Sequence, residues 1–322
     1  MIINERIIKS WSIIGPRATF GLAALELVKE HQNMMILTCD VSTSAGLDRF
    51  RKTYASNYLD LGIAEQNMIG VAAGLASENY NVVTTTFAPF QTIRCCEQIK
   101  VNFGYMKNKV CMVGLASGLI LGNLGFTHCC IEDVGILRTI PNITIVSPAD
   151  SLETVKAFQA ALRYNGSVYI RLTGGSNNPI VYDKDYNFEI GKSNILKDGS
   201  DVAIFSSGSV TSECLNAAKI LDESNISCAV INMHTIKPFD KKTLEKYLSA
   251  KLIVSVEEHN VIGGLGSAIS ETLSTFENSP RQMFLGINDQ YTKGGSYNFL
   301  KKKNGLDKDN IISTIKNNFN ER

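Results

Sequence analysis

The stretch LGIAEQNMIGVAAGLA, residues 61–76, places one acid, Glu65, at the head of a run rich in Ala, Gly, Val, Ile and Leu. A buried ionised carboxylate is costly unless it is paired or hydrogen-bonded. A carboxyl group kept in apolar surroundings also holds a proton more readily than one in water. The bland alternative is a surface Glu at a helix N-terminus, where the helix dipole favours negative charge. The stretch alone leaves both readings of Glu65 open.

Outward from this segment, apolar runs bounded by turn residues alternate with helical stretches. MMILTCD (34–40), NVVTTTF (81–87), KVCMVGLA (109–116), ITIVSP (143–148) and SVYIRL (167–172) read as buried strands. Helices are expected over 20–32, 65–79, 90–106 and 150–165, the last capped by Asp150 or Ser151. Such alternation predicts an α/β fold with a parallel sheet covered by helices on both faces. Residues near 173–200 are polar and rich in turn formers, and read as a linker. The alternation then restarts with strands in DVAIFSSG, SCAVINM and KLIVSVEE and helices over 211–224, 240–248 and from about 264. The expected organisation is two doubly wound domains, 1–180 and a smaller one over 195–322. The tail KKKNGLDKDNIISTIKNNFNER reads as a solvated helix.

The bulk numbers bound the function. With 322 residues, 44% hydrophobic and 20% charged, the chain suits a globular protein of about two domains. Its 32 basic and 31 acidic residues leave a net charge of +1, which gives no basic stripe for nucleic acid or an anionic membrane. No signal-peptide core and no stretch of membrane-spanning length is visible, so a cytoplasmic location is expected. Eight cysteines without a CxxC spacing read as reduced core thiols, and four histidines without ligand spacing make a metal held by this chain alone unexpected. Ligands of open parallel sheets bind at the carboxyl ends of the strands. That rim carries Asp40, Phe87 to Phe90, the glycine-containing loop SGLILGNLGFTH (117–128) and Arg171 to Gly175.

Several long motifs, in order, resemble the transketolase family. They are LGIAEQNMIGVAAGLA, TTFAPFQTIRCCEQI (85–99), GNLGFTHCCIEDVGILRTIPNITIVSPAD (122–150), VINMHTIKPFD (230–240) and VSVEEHNVIGGLGSAISETL (254–273). The resemblance runs from about Arg17 to about Gly295. A full-length member has a further N-terminal domain, whose Gly-Asp-Gly motif and later Asn hold the diphosphate of thiamine diphosphate through Mg²⁺. No GDG occurs here. The chain therefore resembles the C-terminal subunit of a split transketolase, with pyrimidine-binding and C-terminal domains. The implied partner is an N-terminal subunit that carries the GDG domain, in an α2β2 assembly.

The resemblance also implies roles. Glu65 matches the acid that hydrogen-bonds N1′ of the cofactor's aminopyrimidine and favours its imino tautomer, so that the protein tunes chemistry that belongs to the cofactor. Phe90 matches the aromatic that stacks on that ring, Phe87 lines the same pocket, and Asp40 matches an acid near the cofactor. His128 matches the histidine that faces the substrate oxygens. Arg17 and Ser44 match groups that hold the distal phosphate of a sugar, a task suited to guanidinium. His234 and His259 are expected to be structural or interfacial, Cys129 a neutral contact, and GGLGS (263–267) a close strand–helix packing site.

Three departures bear on the substrate. The family's loop acid falls at Leu124, a second substrate histidine at Ala116, and a phosphate-gripping arginine at Gly174. Losing hydrogen-bond partners of this kind costs about 1–3 kcal/mol each for the former substrate. The expected reaction is transfer of a two-carbon ketol unit between atypical sugars: deoxy, non-phosphorylated or nucleotide-linked. One alternative is a decarboxylating enzyme using a 2-oxo acid, of the deoxyxylulose phosphate synthase or pyruvate dehydrogenase beta-subunit type. Another is a non-catalytic scaffold subunit.

Overall fold

The apolar runs form twelve strands in a computed structural model that describes residues 3–319. They are β1 (Met34–Thr38), β2 (Tyr58–Asp60), β3 (Asn81–Phe87), β4 (Val110–Leu115), β5 (Ile143–Val146) and β6 (Ser167–Arg171). After residue 190 come β7 (Asn194–Lys197), β8 (Val202–Ser207), β9 (Cys228–Asn232), β10 (Thr235–Lys237), β11 (Leu252–Asn260) and β12 (Arg281–Ile287). Seven of them make one sheet, ordered β10-β5-β6-β4-β3-β1-β2, and five make a second, ordered β12-β11-β8-β9-β7. Both sheets are mixed, because β10 pairs antiparallel with β5 and β7 antiparallel with β9. The expected parallel pairing holds everywhere else. β10 follows β9 of the second sheet directly in sequence yet completes the edge of the first, so the chain stitches the two sheets together.

Helices cover both faces of each sheet. On the first, the helix Ser151–Arg163 packs against the end of the N-terminal helix, with Phe20 and Phe158 edge to face at 4.9 Å. The helix Glu65–Ser77 covers the opposite face through Met68, Ile69 and Ala72. Asp150 caps Ser151–Arg163, accepting the Glu153 N–H. Strands β4, β6, β8 and β9 are buried along their whole length, as doubly covered strands must be.

Several expectations need correction. The helix expected over 20–32 starts at Glu5 and ends at Leu27, with a break at Gly15, whose φ is +80°. Pro16 lacks an N–H and cannot continue the first segment, and a Cβ on Gly15 would collide with the carbonyl of Gly175. The orphaned carbonyls of Ser12 and Ile13 are taken up by the N–H groups of Asn178 and Asn177. The helix expected over 90–106 is three short pieces, Ala88–Gln91, Cys96–Ile99 and a π-helical turn at Lys100–Tyr105. The linker near 173–200 is not simply solvated. Tyr182 and Tyr186 stack at 4.2 Å over the buried Glu153, and residues 194–197 form β7.

The tail is not a solvated helix either. It folds as Tyr297–Lys303 and Lys308–Phe319, and Ile311 and Ile315 are fully buried in the core that also holds the helix Thr211–Asp222. The expectation for residues 320–322 of the tail lies outside the described residues. No described helix is long and apolar enough to cross a membrane.

Candidate functional site

The loops leaving β1 and β3 run in opposite directions, because β1 leads to β2 on one side and β3 to β4 on the other. A crevice opens at such a switch point. On the edge strand beside it, Asp60 of β2 is a hub: Oδ1 accepts the N–H groups of Asp40 (3.0 Å) and Gly62 (2.9 Å), and Oδ2 the hydroxyl of Thr38 (3.0 Å). Burial works to raise the Asp60 pKa, but these donors hold it below the usual value. The hub fixes Asp40, at φ +55°, and the turn through Gly62 that delivers the chain to Glu65.

Both opening readings of Glu65 turn out to be half right. It is the first residue of its helix and yet only 4% exposed. Its charge is compensated by Arg94, whose Nη1 donates to Oε2 at 2.8 Å. The Arg94 guanidinium also lies 4.1 Å from the centroid of the Phe90 ring. Phe90 meets the imidazole of His128 edge to face at 5.4 Å, and Phe87 meets both, at 6.3 Å and 6.2 Å. One carboxylate, two aromatic rings and one imidazole thus converge from the ends of β2, β3 and the loop after β4. The His128 Nδ1 is 3.0 Å from the Thr127 hydroxyl, which orients the ring.

The loop that carries His128 is held by the second sheet. It leaves β4 through Ala116, at φ +51°, and closes on itself where Gly118 and Cys130 exchange backbone hydrogen bonds at 2.8 Å and 3.0 Å. Glu258 of β11, almost fully buried, accepts the Leu119 N–H at 3.2 Å with one oxygen, and the hydroxyls of Ser209 and Tyr297 with the other. Arg171 of β6 bonds both oxygens of buried Asp133 at 3.0 Å and 2.8 Å, and reaches the Glu258 carbonyl at 2.6 Å. His259 accepts the Gly135 N–H at 3.1 Å, a structural contact between the sheets. His234 packs at a tilt against Phe188, with ring centroids 4.3 Å apart, and burial pushes its pKa down to about 4. Burial pushes the Cys129 thiol up to about 11, which leaves it neutral. The GGLGS segment packs closely, with Gly266 against Phe284 and Ser255, and Glu257 capping the helix behind it through the N–H groups of Leu265 and Gly266.

A second feature lies where the N-terminal helix breaks. Arg17 and Ser44 line one cavity of about 330 Å³ together with Thr43, Gly174, Gly175 and Ser176. Burial lowers the Arg17 pKa, and among the described residues no carboxylate pairs with its guanidinium. Gly174 has φ +83° and packs so tightly on the Asn178 side chain that a Cβ there would collide with its Oδ1. Leu124 is 57% exposed on the loop before His128, whereas Ala116 is buried.

Of the residues singled out in the sequence, Glu65, Phe87, Phe90 and His128 are brought together, and Arg17 and Ser44 share the cavity. Asp40 is held by Asp60 and makes no described contact with either group. Sequence reasoning missed Arg94, Asp60, Glu258 and the Arg171–Asp133 pair. Arg171 falls on the rim in the sequence, but its burial at 1% exposure carries no local signal; the partners lie far away in sequence.

Comparison with known proteins accords with this geometry. Residues 14–178 match the family described as the transketolase pyrimidine binding domain, and residues 191–311 the transketolase C-terminal domain. The chain is 35% identical to one of the two subunits of the apulose-4-phosphate transketolase of Phocaeicola vulgatus, over 94% of this chain and 97% of that one. It is 36% identical to a 6-deoxy-6-sulfo-D-fructose transketolase subunit of a Clostridium species, over 92% of both. A solved split-gene transketolase, described as an inactive beta4 tetramer, superposes with a TM-score of 0.85 at 34% identity, covering 95% of this chain and 98% of that one. With both domains matched in order and full-length relatives among two-subunit enzymes, this chain belongs to the transketolase family, as a C-terminal subunit of the split type.

Proposed function

We propose that this chain works with a separate N-terminal subunit as a thiamine-diphosphate-dependent transketolase, moving a two-carbon ketol unit from a ketose to an aldehyde. The observation that carries the reading is the meeting of buried Glu65 with Phe90, Phe87 and His128 at the β1/β3 crevice. These residues fit an aminopyrimidine. Among the described residues Glu65 Oε1 makes no hydrogen bond, so an acceptor on a nearly buried side chain is available, and Phe90 offers an aromatic face.

When bound, thiamine diphosphate supplies the electron sink that the reaction needs. This chain's residues supply the rest. Glu65 holds a proton between its Oε1 and the ring nitrogen. Phe87 and Phe90 wall that exchange from water. His128 Nε2 orients and protonates substrate oxygens. Arg17 and Ser44 grip a distal anionic group, for which a half-buried, unpaired guanidinium is suited. The cofactor's diphosphate and Mg²⁺ belong to the GDG-containing partner, in a cytoplasmic α2β2 complex. The related solved split-gene transketolase, described as an inactive beta4 tetramer, favours the need for that partner.

The substrate is an atypical sugar. Leu124 and Gly174 give no polar grip to an ordinary pentose or hexose phosphate, and two related subunits are named for apulose 4-phosphate and a sulfonated deoxyfructose. Both of those sugars keep a terminal anion for a site such as the Arg17 cavity. The test is donor and acceptor screening on the complex reconstituted with the N-terminal subunit, with Glu65→Gln beside it. The variant should lose about 10²–10⁴-fold in rate, the usual worth of a proton-transfer group. An unchanged rate in Glu65→Gln sinks the mechanism. Turnover of xylulose 5-phosphate with ribose 5-phosphate at ordinary transketolase efficiency sinks the substrate assignment.

A further inference from the structure

Arg94 makes, with one flat group, the two contacts that the proposed cofactor ring needs. Its guanidinium donates an N–H to buried Glu65 at 2.8 Å and lies over Phe90 at 4.1 Å. An aminopyrimidine is likewise planar, carries N–H donors and stacks on aromatic faces. Arg94 holds Oε2 and leaves Oε1 to the ring, so the contest is for the face of Phe90, which two such groups cannot cover at once. The Arg94 backbone is tied down, since its carbonyl accepts the Gln66 amide at 3.0 Å from the helix that bears Glu65. Its side chain is 41% exposed, so it has a route into solvent without moving the backbone. Glu65, at 4% exposure, would be a bare buried charge in the empty subunit without it.

We propose that Arg94 is a positioning residue that stands in for the aminopyrimidine: it keeps Glu65 paired and Phe90 covered until the cofactor displaces it. The inference rests on the cofactor reading above and adds a cost to cofactor entry. A ligand that binds only the open fraction has its dissociation constant divided by that fraction. A single half-exposed, charge-assisted contact with a cation–π component sets the open fraction at about one in ten.

The test titrates thiamine, which carries the ring without the diphosphate, into the full chain and follows it by ligand-observed NMR. Arg94→Ala should bind about tenfold tighter than the unaltered chain, and Arg94→Lys should fall between, because a point charge keeps the ion pair but not the flat stack. Glu65→Gln should weaken binding in either background. Equal or weaker binding by Arg94→Ala, with Glu65→Gln still impairing it, overturns the placeholder and leaves the cofactor site standing. Absence of binding by the unaltered chain and by Arg94→Ala alike overturns both. A cofactor-loaded structure with Arg94 still bonded to Glu65 and stacked on Phe90 also overturns it.

Discussion

Replacing Arg171 with Met tests how the two sheets hold the His128 loop. Arg171 and Asp133 are 1% and 0% exposed, and the guanidinium makes two bonds to the Asp133 carboxylate at 3.0 Å and 2.8 Å. It also donates to the carbonyl of Glu258 at 2.6 Å and of Cys130 at 3.3 Å, one in each half of the interface. Methionine fills much of the same volume but leaves the Asp133 charge with only the Tyr169 hydroxyl, at 2.7 Å. Breaking a buried pair by removing one partner costs about 3–5 kcal/mol, because the remaining charge stays desolvated. At roughly 2–4 °C per kcal/mol for a chain above 150 residues, the melting temperature should fall by about 6–20 °C. The assay is a thermal melt by circular dichroism on four proteins: the unaltered chain, Arg171→Met, Asp133→Asn and the double variant. The double variant should recover part of the loss, since it leaves no bare charge. A melting temperature for Arg171→Met within about 2 °C of the unaltered chain, below what even 1 kcal/mol would give, would refute the argument. So would a double variant that melts below either single one.

Two further outcomes concern a buried imidazole and the tail. His234 has its folded pKa lowered to about 4 from 6.5 by burial, so it is neutral when folded. The unfolded chain takes up the proton first, so this stability is complete above pH 6.5 and is lost as pH falls toward 4. The loss is about 3 kcal/mol at 1.36 kcal/mol per pH unit. Urea midpoints of the unaltered chain and of His234→Gln should therefore converge as the pH is lowered from neutral toward the folded pKa; parallel curves would contradict the assignment. Ile311→Ala, in the tail, should cost about 2–4 kcal/mol in urea unfolding because its side chain is fully buried. A change under about 0.5 kcal/mol, the usual range of a surface substitution, would mean that the tail lies in solvent.

Much of the site was legible because its residues sit at the ends of strands, and strand ends are readable from apolar runs and turn formers. Phe87, Phe90 and His128 each occupy the rim position that the alternation gave them, whereas Glu65 was singled out by its motif, and the long motifs around all four tied them to a family. The tail was misread because its i, i+4 pair Ile311 and Ile315 is diluted by Lys and Asn on the other face, so mean composition hid a narrow buried stripe. The segment 173–200 was misread because its turn formers do run irregularly, but their backbone and tyrosines satisfy groups elsewhere.

Local sequence by itself determined the two α/β units, the doubly wound layering and the strand-end rim that carries most of the candidate groups. These follow from hydrophobic periodicity and from the rule that parallel strands send their loops to one edge. Only the tertiary structure decided what answers each buried charge: Arg94 for Glu65, Arg171 for Asp133, and the Ser209 and Tyr297 hydroxyls for Glu258. Those partners lie 29 to 49 residues away in sequence. A carboxylate's need for a partner is written in the sequence, but the partner's identity depends on which distant side chain the folded backbone brings within about 3 Å.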